Sequence, residues 1–381
     1  MDVDQWQHLI EEESAAGGSG LALMGLTVSA QTVRAFARDF SDVDLDATLR
    51  QGLWTAEIDS ERVSGELRWQ PEGKGTLVGR FTRLQLPVST PALEPSANDA
   101  REGKDLPMVD IIAEDFRMGT RQFGKLALQA VPNDAEWRIE RLDLTNPDGT
   151  INLHGSWQAW AVNPRTQVQL KVDVNNIGRF FARLDLPRGL EGGKAKLEGP
   201  LSWSGPPYTL DLPTLSGGLA LSATNGRFVK IDPGIGKLLA VLSLQTLPKV
   251  ATLDLRGIFS EGFAFDRISA NADIAHGVAR TQSFQMDGPA AKVEMKGEVN
   301  LPAETQNLDV KIYPSMSESV ALGTALVNPV VGLGALVVQK ALRDPLGHML
   351  ALQYGVAGTW AQPTVTKKKR EPVQSGPPGR K

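Results

Sequence analysis

"QVQLKVDVN", residues 167–175, changes between apolar and polar side chains at every step from Gln167 to Val174. Val168, Leu170, Val172 and Val174 share one side of an extended chain, and Gln169, Lys171 and Asp173 share the other, because successive strand side chains point to opposite faces. A helix would split the four aliphatics between two sides. The segment is therefore a strand with one greasy face. The same period recurs in "YTLDL" (208–212), which sets Leu210 and Leu212 together, and in "AKVEMKGEV" (291–299), which aligns Val293 with Met295. It recurs again in "LDVKI" (308–312), which aligns Leu308, Val310 and Ile312.

A loose repeat links these strands: glycine, then an apolar or tryptophan residue, then a proline turn. It reads "VSGELRWQP" (63–71), "LHGSWQAWAVNP" (153–164), "LEGPLSWSGP" (197–206), "MKGEVNLP" (295–302) and "VAGTWAQP" (356–363). Gly65, Gly155, Gly199, Gly297 and Gly358 lie 90, 44, 98 and 61 residues apart, too irregular for a short-period solenoid. The pattern fits an elongated sheet extended strand by strand, with glycine at bulges or bends and tryptophan as a packing residue. The expected fold is mainly β: a curled, antiparallel-rich sheet with a hydrophobic groove and a few short helices.

Helical periodicity is confined to short stretches. "AQTVRAFARDF" gathers Val33, Phe36, Ala37 and Phe40, "NIGRFFARL" gathers Ile177, Phe180 and Leu184, and the N-terminal stretch gathers Val3, Trp6 and Ile10. "DPGIGKLLAVLSL" opens a helix near 232–246, with Asp232 as N-cap and Pro233 in its first turn. Residues 87–107 read as a polar, proline-bearing loop. "SVALGTALVNPVVGLGALVVQ" (319–339) has no charge in a chain that is 22% charged. As one helix it would be about 31 Å long, enough to cross a bilayer. Asn328 and Pro329 interrupt it, and Gly323, Gly332 and Gly334 dilute it, so two greasy helices within 319–343 fit better than a span. Leu322, Leu326, Val330, Leu333, Leu336 and Val337 are its candidate membrane contacts.

The composition of the 381 residues, 41% hydrophobic with 38 Gly and 24 Pro, is that of a folded, turn-rich protein. A net charge of -4 gives no basic stripe for nucleic acid. There is no cysteine, so disulfides and thiolate metal sites are excluded. His8, His154, His276 and His348 are dispersed and match no metal-ligand spacing. Asp42, Asp44 and Asp46 alternate as in the start of a calcium loop, but Val43 and Leu45 between them give the faces of an ordinary strand, and the loop's glycine and closing glutamate are missing. "GIGK" (234–237) lacks the first glycine of a phosphate loop, and "GGSG" (17–20) is a linker rather than a nucleophile elbow. Neither an enzyme nor a cofactor is expected.

From residue 168 onward, the helix "IGRFFARL", the turn "LSWSG", then "NGRF", "PGIGKLL", "LSLQTLP", "GFAFD" and "DGPAA" occur in an order that resembles the C-terminal region of the YhdP family, in the AsmA-like, TamB-type group. The likeness covers Val168–Pro363. It implies residues 1–167 as the N-terminal part of the same sheet and 168–363 as the C-terminal region. It also implies a periplasmic body whose groove shelters phospholipid acyl chains between inner and outer membranes, with phospholipid and a membrane surface as partners. An envelope assembly or scaffold role, with protein partners, is the alternative. The family's inner-membrane anchor is not seen in this sequence. Residues 364–381, which carry Lys367, Lys368, Lys369 and Arg370, read as a disordered basic tail.

Overall fold

A computed structural model describes residues 24–35, 38–86, 106–187, 189–229, 263–314 and 352–368. Among the described residues there are 18 strands, one α-helix and one 3-10 turn. The architecture is mainly β and antiparallel-rich, as the alternation requires. By contacts the chain divides into two units, and the division runs through the eleventh strand: its residues up to Leu197 go with the second unit, and those from Glu198 go with the first.

The first unit holds β1 (Gly25–Ala35), β2 (Arg38–Arg50), β3 (Leu53–Asp59), β4 (Val63–Gln70), β5 (Thr76–Leu86), β6 (Met108–Met118), β7 (Arg121–Pro132), β8 (Trp137–Asn146), β9 (Gly149–Trp157) and β10 (Arg165–Val174). Each strand pairs with the next in sequence order. Every pairing is antiparallel except β5 with β6, which run parallel from Thr76↔Met108 to Leu86↔Met118. A parallel pair needs a long crossover, and residues 87–107 supply the length. Phe81, Leu84, Ala113, Phe116, Leu126 and Leu144 form a buried cluster over β5 to β8. Each Leu or Phe of the cluster contributes about 1.5–3 kcal/mol by leaving water.

β11 (Leu190–Ser204) is followed by β12 (Ser216–Phe228), β13 (Phe263–Ala275), β14 (Val278–Asp287), β15 (Ala291–Asn300), β16 (Thr305–Pro314), β17 (Leu352–Thr359) and β18 (Pro363–Lys367). From β12 to β18 the second unit is an antiparallel ladder in sequence order. The helix α1 (Ile177–Arg183) buries Ile177 and Phe180, with Leu184 just beyond its end, on the face that its spacing predicts.

Three expectations are corrected. Within "AQTVRAFARDF", residues 30–35 end β1 and 38–40 begin β2, paired Val33↔Phe40 and Ala35↔Arg38, so this is a hairpin and not a helix. The stretch from Gly25 to Ala35 alternates, contains Thr and Val, and has the strand 38–50 as a ready partner, which overrides a marginal helical stripe. "YTLDL" is not a strand: it leads into a 3-10 turn at Leu212–Thr214. Pro206, Pro207 and Pro213 remove ladder donors around it, and Asp211 accepts a 2.5 Å hydrogen bond from the Thr214 hydroxyl that closes the turn. The basic tail begins later than 364, because Pro363–Lys367 is β18 and the Lys368 amide donates to Gln353 O at 2.9 Å. Its Thr and Val suit an edge strand, with the proline at the start. The helices expected at 3–10, 232–246 and 319–343 lie outside the described residues, as do 87–105 and 369–381.

Candidate functional face

Register turns the alternating sequence into continuous apolar rows. In the first unit one row crosses ten strands: Leu26, Ala47, Ala56, Leu67, Gly79, Ile111, Leu128, Leu142, Leu153 and Leu170 are successive cross-strand partners. The next row runs Val28, Leu45, Ile58, Gly65, Phe81, Ala113, Leu126, Leu144, Ile151 and Val172 in the same way. On the other side lies a row from Trp54 and Trp69 through Val109 and Ile139 to Val168. Neighbouring strands are about 4.8 Å apart, so a row across ten strands is about 43 Å long.

The rows differ in exposure. Phe81, Ala113, Leu126 and Leu144 are buried. Leu67, Ile111, Leu128, Leu142, Leu153 and Leu170 are only partly buried, although all stand on the same apolar face. The opposite face is polar: Arg80 pairs with Asp110 at 3.0 Å, and Asn152 donates to Asp143 at 2.8 Å. A strip of half-exposed aliphatics along a sheet whose back is charged is a surface suited to long apolar chains.

The second unit repeats the arrangement with a drier face. Ala223, Ile268, Met286, Val293, Ile312 and Leu352 are successive partners across six strands, and Phe284, Met295, Val310 and Tyr354 form the adjacent row. Met286, Val293, Val310, Ile312 and Tyr354 are all at most 3% exposed. Burial raises the pKa of the Tyr354 phenol, and burial together with its hydrogen bond to Glu294 raises that of Tyr313.

The positions read from sequence are placed as follows. Val168, Leu170, Val172 and Val174 share the inward face of β10, with Val168 and Val174 buried. Val293 and Met295 meet Ile312 and Val310 directly, and Leu308 faces Gly297. Leu210 and Leu212 are off the strands and 52% and 36% exposed, so they do not belong to these rows. Leu322, Leu326, Val330, Leu333, Leu336 and Val337 lie outside the described residues.

Sequence reading missed most of the first unit's rows. "RIERLDL" hides Ile139, Leu142 and Leu144 because a register shift between Ile139 and Leu142 breaks the period of two. "GKLALQA" did carry the signal, with Leu126, Leu128 and Ala130 at alternate positions.

Chemistry beyond apolar contact is sparse. Among the described residues no group of three or more His, Cys, Asp or Glu is placed to hold a metal ion. Asp42, Asp44 and Asp46 point outward from β2 as a strand face, with Asp46 accepting from the Thr27 hydroxyl at 3.0 Å. Among the described residues no helix is long and apolar enough to cross a membrane.

The family model described as "YhdP protein" matches residues 1–365. The intermembrane phospholipid transporter YhdP of Escherichia coli (strain K12) is 29% identical over 224 residues, which cover 58% of this chain and 18% of that protein. The matched part is thus less than a fifth of that relative. No solved structure matches the chain.

Proposed function

The chain belongs to the YhdP family, and from that premise we propose that it is a segment of a lipid conduit, carrying phospholipid acyl chains along the apolar rows of its sheet. The observation that supports this most is the half-exposed row from Leu67 to Leu170, continuous across strands and backed by a polar face. An acyl chain laid along such a row gains about 0.8 kcal/mol for each CH2 it buries. Neighbouring positions are chemically alike, so a chain slides along the row without a deep trap. No reactive residue takes part.

The reading places the segment in the periplasm of a Gram-negative bacterium, between donor and acceptor membranes. It extends, on sequence alone, to residues 319–339, whose uncharged run we assign to contact with a membrane surface. Deletion of 320–338 then leaves lipid in the groove but abolishes exchange with vesicles.

Mass spectrometry of lipid extracted from the purified protein tests the reading. Co-purified phospholipid, displaced by added phospholipid of another chain length, is the expected result. Protein free of lipid after mild purification, and unable to take up phospholipid from vesicles, would overturn it.

A further inference from the structure

Six of the eight tryptophans stand at one end of the strands of the first unit. Trp54 lies near the start of β3, Trp69 near the end of β4, Trp137 opens β8 and Trp157 closes β9. Register brings these ends together: Trp54 faces Trp69, Trp137 faces Trp157, and the Trp69 row runs through Leu77, Val109, Ala130 and Ile139. Trp160 lies in the β9–β10 connection, and Trp203 is on the part of β11 that belongs with this unit. Among the described residues the opposite strand ends of this unit carry no tryptophan. The glycine–tryptophan–proline repeat supplies Trp69, Trp157, Trp160 and Trp203 where strands reach this edge, and Trp54 and Trp137 open the strands that leave it.

These tryptophans are more than core filling. Trp137 donates its indole N–H to Pro107 O at 2.9 Å, and Trp203 donates to Pro206 O at 3.1 Å. The indole nitrogens of Trp157 and Trp160 are buried with no acceptor among the described residues, and Trp157 is 9% exposed. Lys74 places its ammonium 5.2 Å from the Trp160 ring centroid and donates to Asn133 O at 3.0 Å. Tyr208, 80% exposed, stands edge-on to Trp157 at 6.3 Å and carries the aromatic rim outward. An indole has an apolar body and one polar donor, which suits it to the boundary between hydrocarbon and water.

Resting on the lipid reading above, we infer that this tryptophan edge is the headgroup side of the face: the glycerol esters and phosphate of a bound phospholipid ride along it. The acyl chains then point toward the leucine rows. The glycerol esters lie against the aromatic rim that the exposed Tyr208 extends, and Lys74, 40% exposed and 3.5 Å from Asp134, supplies a positive charge at the phosphate level.

Tryptophan quenching tests the orientation. The chain carrying Trp6→Phe and Trp360→Phe keeps only the six edge tryptophans. It is loaded with phosphatidylcholine spin-labelled on the headgroup, near the ester end of the chain, or near the methyl end, and loading is checked by mass spectrometry. The headgroup label is expected to quench roughly twofold more than the methyl-end label, as at a bilayer interface. The unsubstituted chain gives the same order over a constant background, so the result does not depend on the double variant folding. Equal quenching by all labels, or strongest quenching by the methyl-end label, with lipid bound, overturns the edge assignment and leaves the conduit reading intact. Failure of every label to bind overturns both.

Discussion

Val310 on β16 stands directly opposite Tyr354 on β17, and the tyrosine is fully buried with no hydrogen-bond partner for its hydroxyl among the described residues. An unmatched buried hydroxyl carries a desolvation cost of about 1–3 kcal/mol. Tyr354→Phe is therefore expected to leave the urea midpoint unchanged or to raise it. The pH dependence has a definite sign. In the unfolded chain the phenol ionises near 10.0, and burial holds the folded-state value higher. The unfolded state thus loses its proton first, and stability falls as pH rises through the unfolded value. Urea titrations between about pH 8 and pH 11 should show a shallower alkaline decline in Tyr354→Phe than in the parent.

Gly65 and Gly297 are held by backbone geometry. Each adopts a positive φ, +148° and +136°, and a Cβ on either would lie 2.3 Å from Arg80 O or 2.2 Å from Asn307 O on the next strand. Both sit where the ladder register shifts. Replacement by alanine must move a strand as well as strain φ, and about 1–3 kcal/mol is expected from the backbone strain alone. Thermal unfolding of Gly65→Ala and Gly297→Ala measures it, with Gly73→Ala as the strain-only comparison, since Gly73 also has a positive φ, +69°, but a Cβ there meets nothing within 4 Å.

How much of this was legible depended on whether the period of two survived. At 167–174 it is unbroken, and both the strand and its apolar face follow from it. At 139–144 a bulge shifted the phase, and three row residues disappeared into an irregular pattern. At 208–212 the alternation was genuine but proline-bounded, and backbone donors decided against a strand. At 30–40 a helical stripe was present, yet pairing with 38–50 won. The exposure that separates Leu170 from Val310 is a property of neighbours far away in sequence, and no local pattern encodes it.

Asp148 is a buried carboxylate, 2% exposed, bound by Arg179 at 2.8 Å and Arg183 at 2.5 Å. The two arginines come from α1, one and two turns along a single face, so the pair ties the helix to the β8–β9 turn. Asp148→Ala removes the anchor and leaves Arg183 partly buried without it. A loss toward the lower end of the 3–5 kcal/mol typical of breaking buried pairs is expected, about 3 kcal/mol, because Arg179 remains well exposed. Urea unfolding measures it, and Asp148→Asn should recover only part.

Leu170 and Val310 distinguish the proposed lipid-carrying face from a core. Val310 is 3% exposed between Met295 and Tyr354, so Val310→Asp buries an unpaired carboxylate and should unfold the second unit. Leu170 is half-buried, and an aspartate there reaches water. Leu170→Asp should keep the circular dichroism of the parent and lose co-purified lipid.

The most direct test of the conduit is a photo-crosslinking scan along β10 in cells, with a reactive side chain placed at each residue from Gln167 to Val174. Phospholipid adducts are expected at Leu170 and Val172, the inward residues of β10 that stay partly exposed, and not at Gln167, Gln169, Lys171 and Asp173, while the buried Val168 and Val174 give few. Adducts at both sets alike, or at neither, would contradict the claim that this face carries lipid.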